Sequence, residues 1–417
     1  MAPVSHCRMT RQRVLAIIQA GGAGGRMDVL TRERAKPALP FLGVFQLVDL
    51  PLSNLTHSGI SDVWLSVQFQ GSTLEEQVAN GRPWDLDRTR GGLRLLMPEE
   101  GTGSLDEEGF ARGNADELFR IRDQVASFAP DVLLVMSADH VYHLDYLEVV
   151  DAHLEAGAEC TIVTTEVPVS EAGDHAVVET DGDGRVTGFD YKPDEPTTGT
   201  IATEVFAYDP RVLVEVLEEL HRELSAGSDA GDSGLEDFGD HLLPRLVERG
   251  RTIAHPLDGY WRDLGQPHLY LRAHQDFLVE DHDVLGREDW PVLTRQPARA
   301  PARLLEGADV VDGLLSPGAR VAGVVRRSVL GPGVVIEEGA EVHDSVVFAR
   351  TVVRAGAQVH WSIVDSDCEI GAGARVGEAG VDGTNDSDVV TLVGLGSTVA
   401  AGRTLAAGSR LEPGTSA

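Results

Sequence analysis

Val14-Leu15-Ala16-Ile17-Ile18-Gln19-Ala20-Gly21-Gly22-Ala23-Gly24-Gly25-Arg26 joins a continuous apolar run to a turn with four glycines in five residues. Seven residues without polar alternation suit a strand buried on both faces, as in a parallel sheet. The glycines let backbone N–H groups close around a phosphate, and Arg26 adds a fixed cationic fork. An ordinary tight turn is the alternative. The turn lacks the Gly-Lys-Ser/Thr of a P-loop, and Met27 stands where a GxGxxG pattern starting at Gly22 needs its last glycine. Outward from this stretch, Val63–Val67, Val132–Met136 and Thr161–Thr164 are further strand-like runs. Amphipathic segments over 114–126 and 145–156 separate them, an alternation that predicts an α/β fold. Asp181-Gly182-Asp183-Gly184 predicts a hairpin turn.

A different texture begins beyond residue 289. The segment 289–301, with three prolines and little periodicity, is read as a linker. Past it, Val324, Leu330, Ile336, Val342 and Phe348 stand six apart, with Ser328, Val334, Ala340 and Val346 two positions before the last four. The step resumes at Ile370 and Val376 after a break around His360-Trp361. A hexad with one inward residue per face is the signature of a left-handed parallel β-helix with three hexads per coil. A Gly/Val-rich sandwich is the bland alternative. The expected organisation is therefore a mostly parallel, Rossmann-like α/β domain over 12–285, a linker over 286–303 and a β-helix over 304–400. The stretch after Gly377 reads as either a loose extension or a final coil.

Composition narrows the function. The chain of 417 residues and 44.7 kDa carries a formal charge of −32, which disfavours nucleic acid and anionic membranes as partners. An anionic ligand must then find a local basic pocket. Cys7, Cys160 and Cys368 form no CxxC pair, which argues against a disulfide scaffold or cysteine zinc site. Arg8, Arg11 and Arg13 before the apolar run imitate a secretory leader, but the run is short and enters the glycine turn. A cytoplasmic protein with no membrane span is the expectation.

Next to the glycine turn, Leu30-Thr31-Arg32-Glu33-Arg34-Ala35-Lys36-Pro37-Ala38 puts a lysine on a proline-stiffened segment. Together these stretches resemble the sugar-1-phosphate nucleotidyltransferases, and within them the ADP-glucose pyrophosphorylases. Further segments agree in order: Gln68-Phe69-Gln70, Arg112-Gly113-Asn114-Ala115-Asp116, Ala138-Asp139-His140-Val141-Tyr142, Tyr191-Lys192-Pro193, Asp237-Phe238-Gly239 and Tyr260-Trp261-Arg262-Asp263-Leu264-Gly265. The resemblance implies transfer of an adenylyl group from ATP to a sugar 1-phosphate, with Mg²⁺ held by Asp139 and Asp263. It implies Arg26 and Lys36 as catalytic cations, Gly21, Gly22, Gln68, Gly113 and Asn114 around the nucleotide, and Lys192 and Asp237 at the sugar phosphate. It also implies a homo-oligomer, a homotetramer in that family. In-line attack on an α-phosphorus needs this charge neutralisation, because the reacting groups are all anions.

The sugar side departs from the family. Ala111, Ala176, Tyr191 and Ala202 occupy positions where the resemblance expects other residues around the sugar, and Glu204 replaces a glycine. Lost hydrogen-bonding groups shift selectivity by ~1–3 kcal/mol each, so an altered sugar preference, with glucosamine 1-phosphate as one candidate, is expected. A non-catalytic subunit and a transferase for another base stay open. His140, His143, His268 and His274 show no trusted ligand spacing and are read as surface or packing residues.

Overall fold

The computed structural model describes residues 12–22, 24–97, 111–225, 233–280, 282–381, 383 and 385–417. The readings of Cys7, Arg8 and Arg11 lie outside these residues. Strand Val14–Ala20 pairs in parallel with Asp62–Val67 on one side and Val132–Ser137 on the other, and Gly92–Leu96 extends the parallel set. Its unbroken apolar run is explained by this central place: Ala16 and Ile18 enter one core, while Leu15 and Ile17 enter the opposite one. The outer strands are mostly antiparallel. Thr200–Tyr208 lies antiparallel on Val132–Ser137, and Cys160–Glu166 packs antiparallel beside it. The hairpin Ala176–Thr180 and Val186–Tyr191 turns through Asp181, whose carboxylate accepts the N–H groups of Asp183 and Arg185, both at 3.0 Å. Helices Tyr146–Ala156 and Pro210–Leu224 start at Asp145 and Asp209, whose carboxylates cap the first turns.

The chain leaves the central strand for a neighbour on one side, then crosses to the other side. Such a topological switch point opens a crevice at the carboxyl ends of the strands. The glycine turn, Gln68 and the Ser137–Asp139 turn all follow strand ends at this crevice.

From Arg303 to Leu411, short strands stack in parallel as a β-helix of hexapeptide repeats. The coils differ from the expected three hexads. Val335 pairs with Val352, which pairs with Glu369, so the coil is 17 residues. One corner lacks a residue, and there Arg327, Asp344 and Trp361 adopt positive φ of 43°, 48° and 43°. The missing residue shifts the inward set. Val325 and Val347, not Val324 and Phe348, join Leu330, Ile336 and Val342 in the interior, while Phe348 turns outward onto the α/β domain. Ser345 and Ser362 donate their N–H groups to the hydroxyls of Ser328 and Ser345, both at 3.1 Å, which satisfies the backbone at that corner. The strands Thr391–Val393, Thr398–Val399, Thr404–Leu405 and Arg410–Leu411 continue the stack past the tail left open above.

The two units share an apolar cluster in which Met27, Leu39, Phe41 and Tyr270 meet Val329, Phe348, Ile363 and Leu392. Arg34 is ion-paired to the almost fully buried Asp365 at 2.7 Å, and Arg410 to Asp28 at 3.2 Å. No helix among the described residues is long and apolar enough to cross a membrane.

Candidate active site

The crevice holds a polar cavity of about 380 Å³, lined by strand ends and by loops brought from the whole length of the α/β domain. Gly21, Gly22, Arg26, Lys36, Gln68, Ala111, Gly113, Asn114, Asp139, Tyr191, Lys192 and Asp237 all face it. At Gly21 a side chain would meet the Gln68 amide nitrogen at 2.6 Å, so glycine lets the two loops close together. Gln68 in turn accepts the Ala111 N–H at 2.9 Å. Gly113 lies against the backbone of Glu236 and Asp237, where any β-carbon would overlap the Glu236 carbonyl. That close approach docks 113–116 on 236–238: Asn114 donates its N–H to Asp237 at 3.3 Å and accepts the Phe238 N–H at 3.2 Å. At the other end Lys192, with φ of 52°, donates its N–H to the His175 carbonyl at 3.1 Å, and its ammonium sits 4.7 Å from the Tyr191 ring centre.

The floor of the crevice is strongly charged. Lys36, 8 % exposed, bonds the Asp139 carboxylate and lies 3.9 Å from Asp263. Ser137 donates its hydroxyl to the other Asp139 oxygen. Asp263 is brought there by a two-stranded pairing of Trp261–Asp263 with His140–Tyr142, although it does not line the cavity itself. Burial works against charge on Lys36, but the two aspartates prevail and hold its pKa above the usual lysine value. Burial likewise opposes ionisation of Asp139, yet Lys36 and His140 keep that carboxyl well below its ordinary range. Burial raises Glu117, which also lines the cavity, to about 7, against hydrogen bonds from Ser66 and Gln19.

Three sequence readings change. Ala176 and Ala202 do not line the cavity: they are buried at 6 % and 3 % in the apolar cluster that also holds Phe206 and Phe238. Strand alternation decides which face a residue takes, and sequence order does not show it. His140 is not a surface or packing residue. It is buried, its Nδ1 bonds the Thr203 carbonyl at 2.9 Å, and its Nε2 faces Asp263, Asp139 and Glu204 at 3.5, 3.7 and 3.8 Å. Glu204, read from sequence only as replacing a glycine on the sugar side and not as a site residue, lines the cavity from the irregular stretch between Ala202 and Phe206. The one charged residue inside the strand Thr200–Tyr208 was the available signal. His274 is buried packing, as expected, against Phe41 and Tyr270.

Two family models cover most of the chain: a nucleotidyl transferase over residues 15–280 and a GlmU-like C-terminal hexapeptide domain over residues 300–399. The chain belongs to the nucleotidyl transferase family. Among curated relatives, the glucose-1-phosphate adenylyltransferase of Clostridium acetobutylicum is 34 % identical over 333 residues, 79 % of this chain and 84 % of the relative. Proteins of the same name from Bacillus thuringiensis and Clostridium perfringens are each 32 % identical, covering 81 % and 82 % of this chain and 87 % and 86 % of theirs. Nucleotidyl transferases generally use a divalent metal. The donors here fit one: Asp139, His140 and Glu204 present ligand atoms within 4.8 Å of one another, beside Asp263.

Proposed function

We propose that this nucleotidyl transferase moves the adenylyl group of ATP onto α-D-glucose 1-phosphate, giving ADP-glucose and pyrophosphate for glucan synthesis. One observation carries the reading: the glycine turn, Lys36, Asp139 and Lys192 converge on a single cavity at the carboxyl ends of the parallel strands. The backbone of Gly21 and Gly22, with Arg26, takes the triphosphate and steadies departing pyrophosphate. Gln68, Gly113 and Asn114 enclose base and ribose. Lys192 holds the attacking phosphate, with Asp237 beside the sugar, and Lys36 neutralises charge at the α-phosphate. Asp139 and Asp263 hold a divalent cation, Mg²⁺ in this reading, which when bound stabilises charge on the reacting phosphates. Lys36 and Asp139 keep their charges across the neutral range, and no side chain forms a covalent bond to substrate.

A second sugar, glucosamine 1-phosphate, is favoured by Asp237. Among the described residues its carboxylate faces the cavity with neutral donors, the Asn114 N–H and the Tyr191 hydroxyl, both at 3.3 Å, and the Asp240 N–H of its helix cap, and suits a protonated amine. The working enzyme in this reading is cytoplasmic and a homo-oligomer, a homotetramer by resemblance, which sedimentation velocity would test.

Pyrophosphate release decides the matter, with ATP, dTTP, GTP and UTP crossed against glucose, glucosamine, mannose and galactose 1-phosphates. Turnover confined to ATP and lost in Asp139→Asn supports adenylyl transfer, and the ranking of sugars separates glucose from glucosamine. Silence across the panel from a protein that binds ATP would turn the reading to a non-catalytic subunit.

A further inference from the structure

Glu204 stands in a costly place. It adopts a left-handed backbone with φ of 57°, a conformation that glycine takes readily and other residues take at a cost of order 1 kcal/mol. Its carboxylate is also turned towards two others, since His140 Nε2 is 3.8 Å from Glu204, 3.7 Å from Asp139 and 3.5 Å from Asp263. Three carboxylates gathered at one buried nitrogen repel one another; Lys36, bonded to Asp139 and 3.9 Å from Asp263, offsets part of that repulsion but forms no ion pair with Glu204 among the described residues.

The second observation is the orientation of His140. The ring is 3 % exposed, its Nδ1–H donates to the Thr203 carbonyl at 2.9 Å, and Nε2 makes no hydrogen bond among the described residues while pointing into the carboxylates. A backbone carbonyl on one ring nitrogen with the other left open is how proteins prepare a histidine for a metal. Thr203 and Glu204 are adjacent, so the same irregularity of the strand aims the carboxylate and orients the imidazole. Trp261 packs edge-on against the ring, with centroids 5.3 Å apart, and limits its rotation.

We propose that Glu204 and His140 join Asp139 in a nitrogen-bearing cation site, giving this chain a preference for first-row transition ions such as Mn²⁺ or Co²⁺ over Mg²⁺. An imidazole ligand favours those ions, whereas Mg²⁺ prefers oxygen donors and retained water. The inference rests on the reading that Asp139 holds the cation of adenylyl transfer, and it adds two ligands that the sequence resemblance did not supply.

The test uses the full chain, stripped with EDTA and titrated with Mn²⁺ in the absence of nucleotide, with bound ion followed by electron paramagnetic resonance. Pulsed measurements should detect nitrogen coupling to Mn²⁺, and excess Mg²⁺ should displace the ion only weakly. His140→Gln should abolish the nitrogen coupling, and Glu204→Gln should weaken Mn²⁺ binding about tenfold or more. Glu204→Gly relieves the strained backbone, so its metal-free melting temperature should hold or rise while Mn²⁺ affinity falls. No nitrogen coupling in the unaltered chain, or unchanged affinity in both Glu204 variants, overturns the proposal. The substrate panel with Mg²⁺ is an independent readout. Turnover there without nitrogen coupling sinks this inference alone, and nitrogen coupling without turnover sinks the adenylyl-transfer reading alone.

Discussion

Lys36→Met removes the cation at the centre of the charged floor while keeping side-chain length. The lysine is 8 % exposed, bonded to Asp139 and 3.9 Å from Asp263. At that separation the gross attraction to Asp263 alone is about 4 kcal/mol for an effective dielectric near 20. Desolvation of the ammonium offsets much of this. Removing one partner of a buried pair nevertheless costs about 3–5 kcal/mol, because the remaining charge is stranded. For a chain of this size, that corresponds to a fall in melting temperature of about 3–6 °C at neutral pH. The loss should shrink in acid, since the abandoned carboxylates can then protonate. A divalent cation should restore more stability to the variant than it adds to the unaltered chain, because it supplies the missing charge. Catalysis should suffer separately, with kcat down about 10²–10³-fold, the scale for deleting one electrostatic contact to a transition state. Scanning calorimetry with and without cation, alongside pyrophosphate release, measures both effects. An unchanged melting temperature with unchanged kcat would refute the placement of Lys36 between the aspartates.

Burial lifts Asp49 to about 7 although Gln46 N–H and the Gln77 amide bond it at 2.9 and 2.8 Å. A carboxyl raised in the folded state stabilises at low pH, and that stability is lost as pH climbs from the ordinary carboxylate range through 7. Asp49→Asn should remove this dependence, about 3 kcal/mol between pH 5 and 8, read from urea unfolding at those two values. Gly113→Ala places a β-carbon 2.6 Å from the Asp237 nitrogen and against the Glu236 carbonyl. It should cost about 1–3 kcal/mol and raise KM for ATP, because Asn114 and Asp237 separate. Arg34→Gln strands Asp365, which is 1 % exposed and 2.7 Å from the guanidinium, and should lower stability by about 3–5 kcal/mol. Adding Asp365→Asn should recover part of that loss in a double-mutant cycle.

The readings that held from sequence alone were those whose causes lie within a few residues. An unbroken apolar run followed by glycines can be read as a buried strand and its turn, because burial on both faces demands the first and close backbone approach the second. The hexad pattern also announced a β-helix, since each rung repeats the same inward contact. Its exact coil escaped, because a single missing residue at a corner moves Phe348 from the interior to the domain interface. That shift depends on backbone conformation at Arg327, Asp344 and Trp361, which composition does not reveal.

The site divides in the same way. Gly21, Lys36, Asp139 and Lys192 were legible because each belongs to a contiguous motif whose residues act through local geometry. Ala176 and Ala202 were misplaced, Glu204 was noted only as a replaced glycine, and His140 was read as surface or packing, for the opposite reason. Which strand face a side chain takes, and which distant carboxylate it meets, follows from register between segments far apart in the chain, such as His140 and Asp263 on their paired strands or Asn114 and Phe238. Sequence thus determined the chemistry that was available, through residue types in local order. Only the tertiary structure decided that a histidine, a strained glutamate and two aspartates share one small volume, because electrostatic coupling falls off over a few ångströms in space and is blind to distance along the chain.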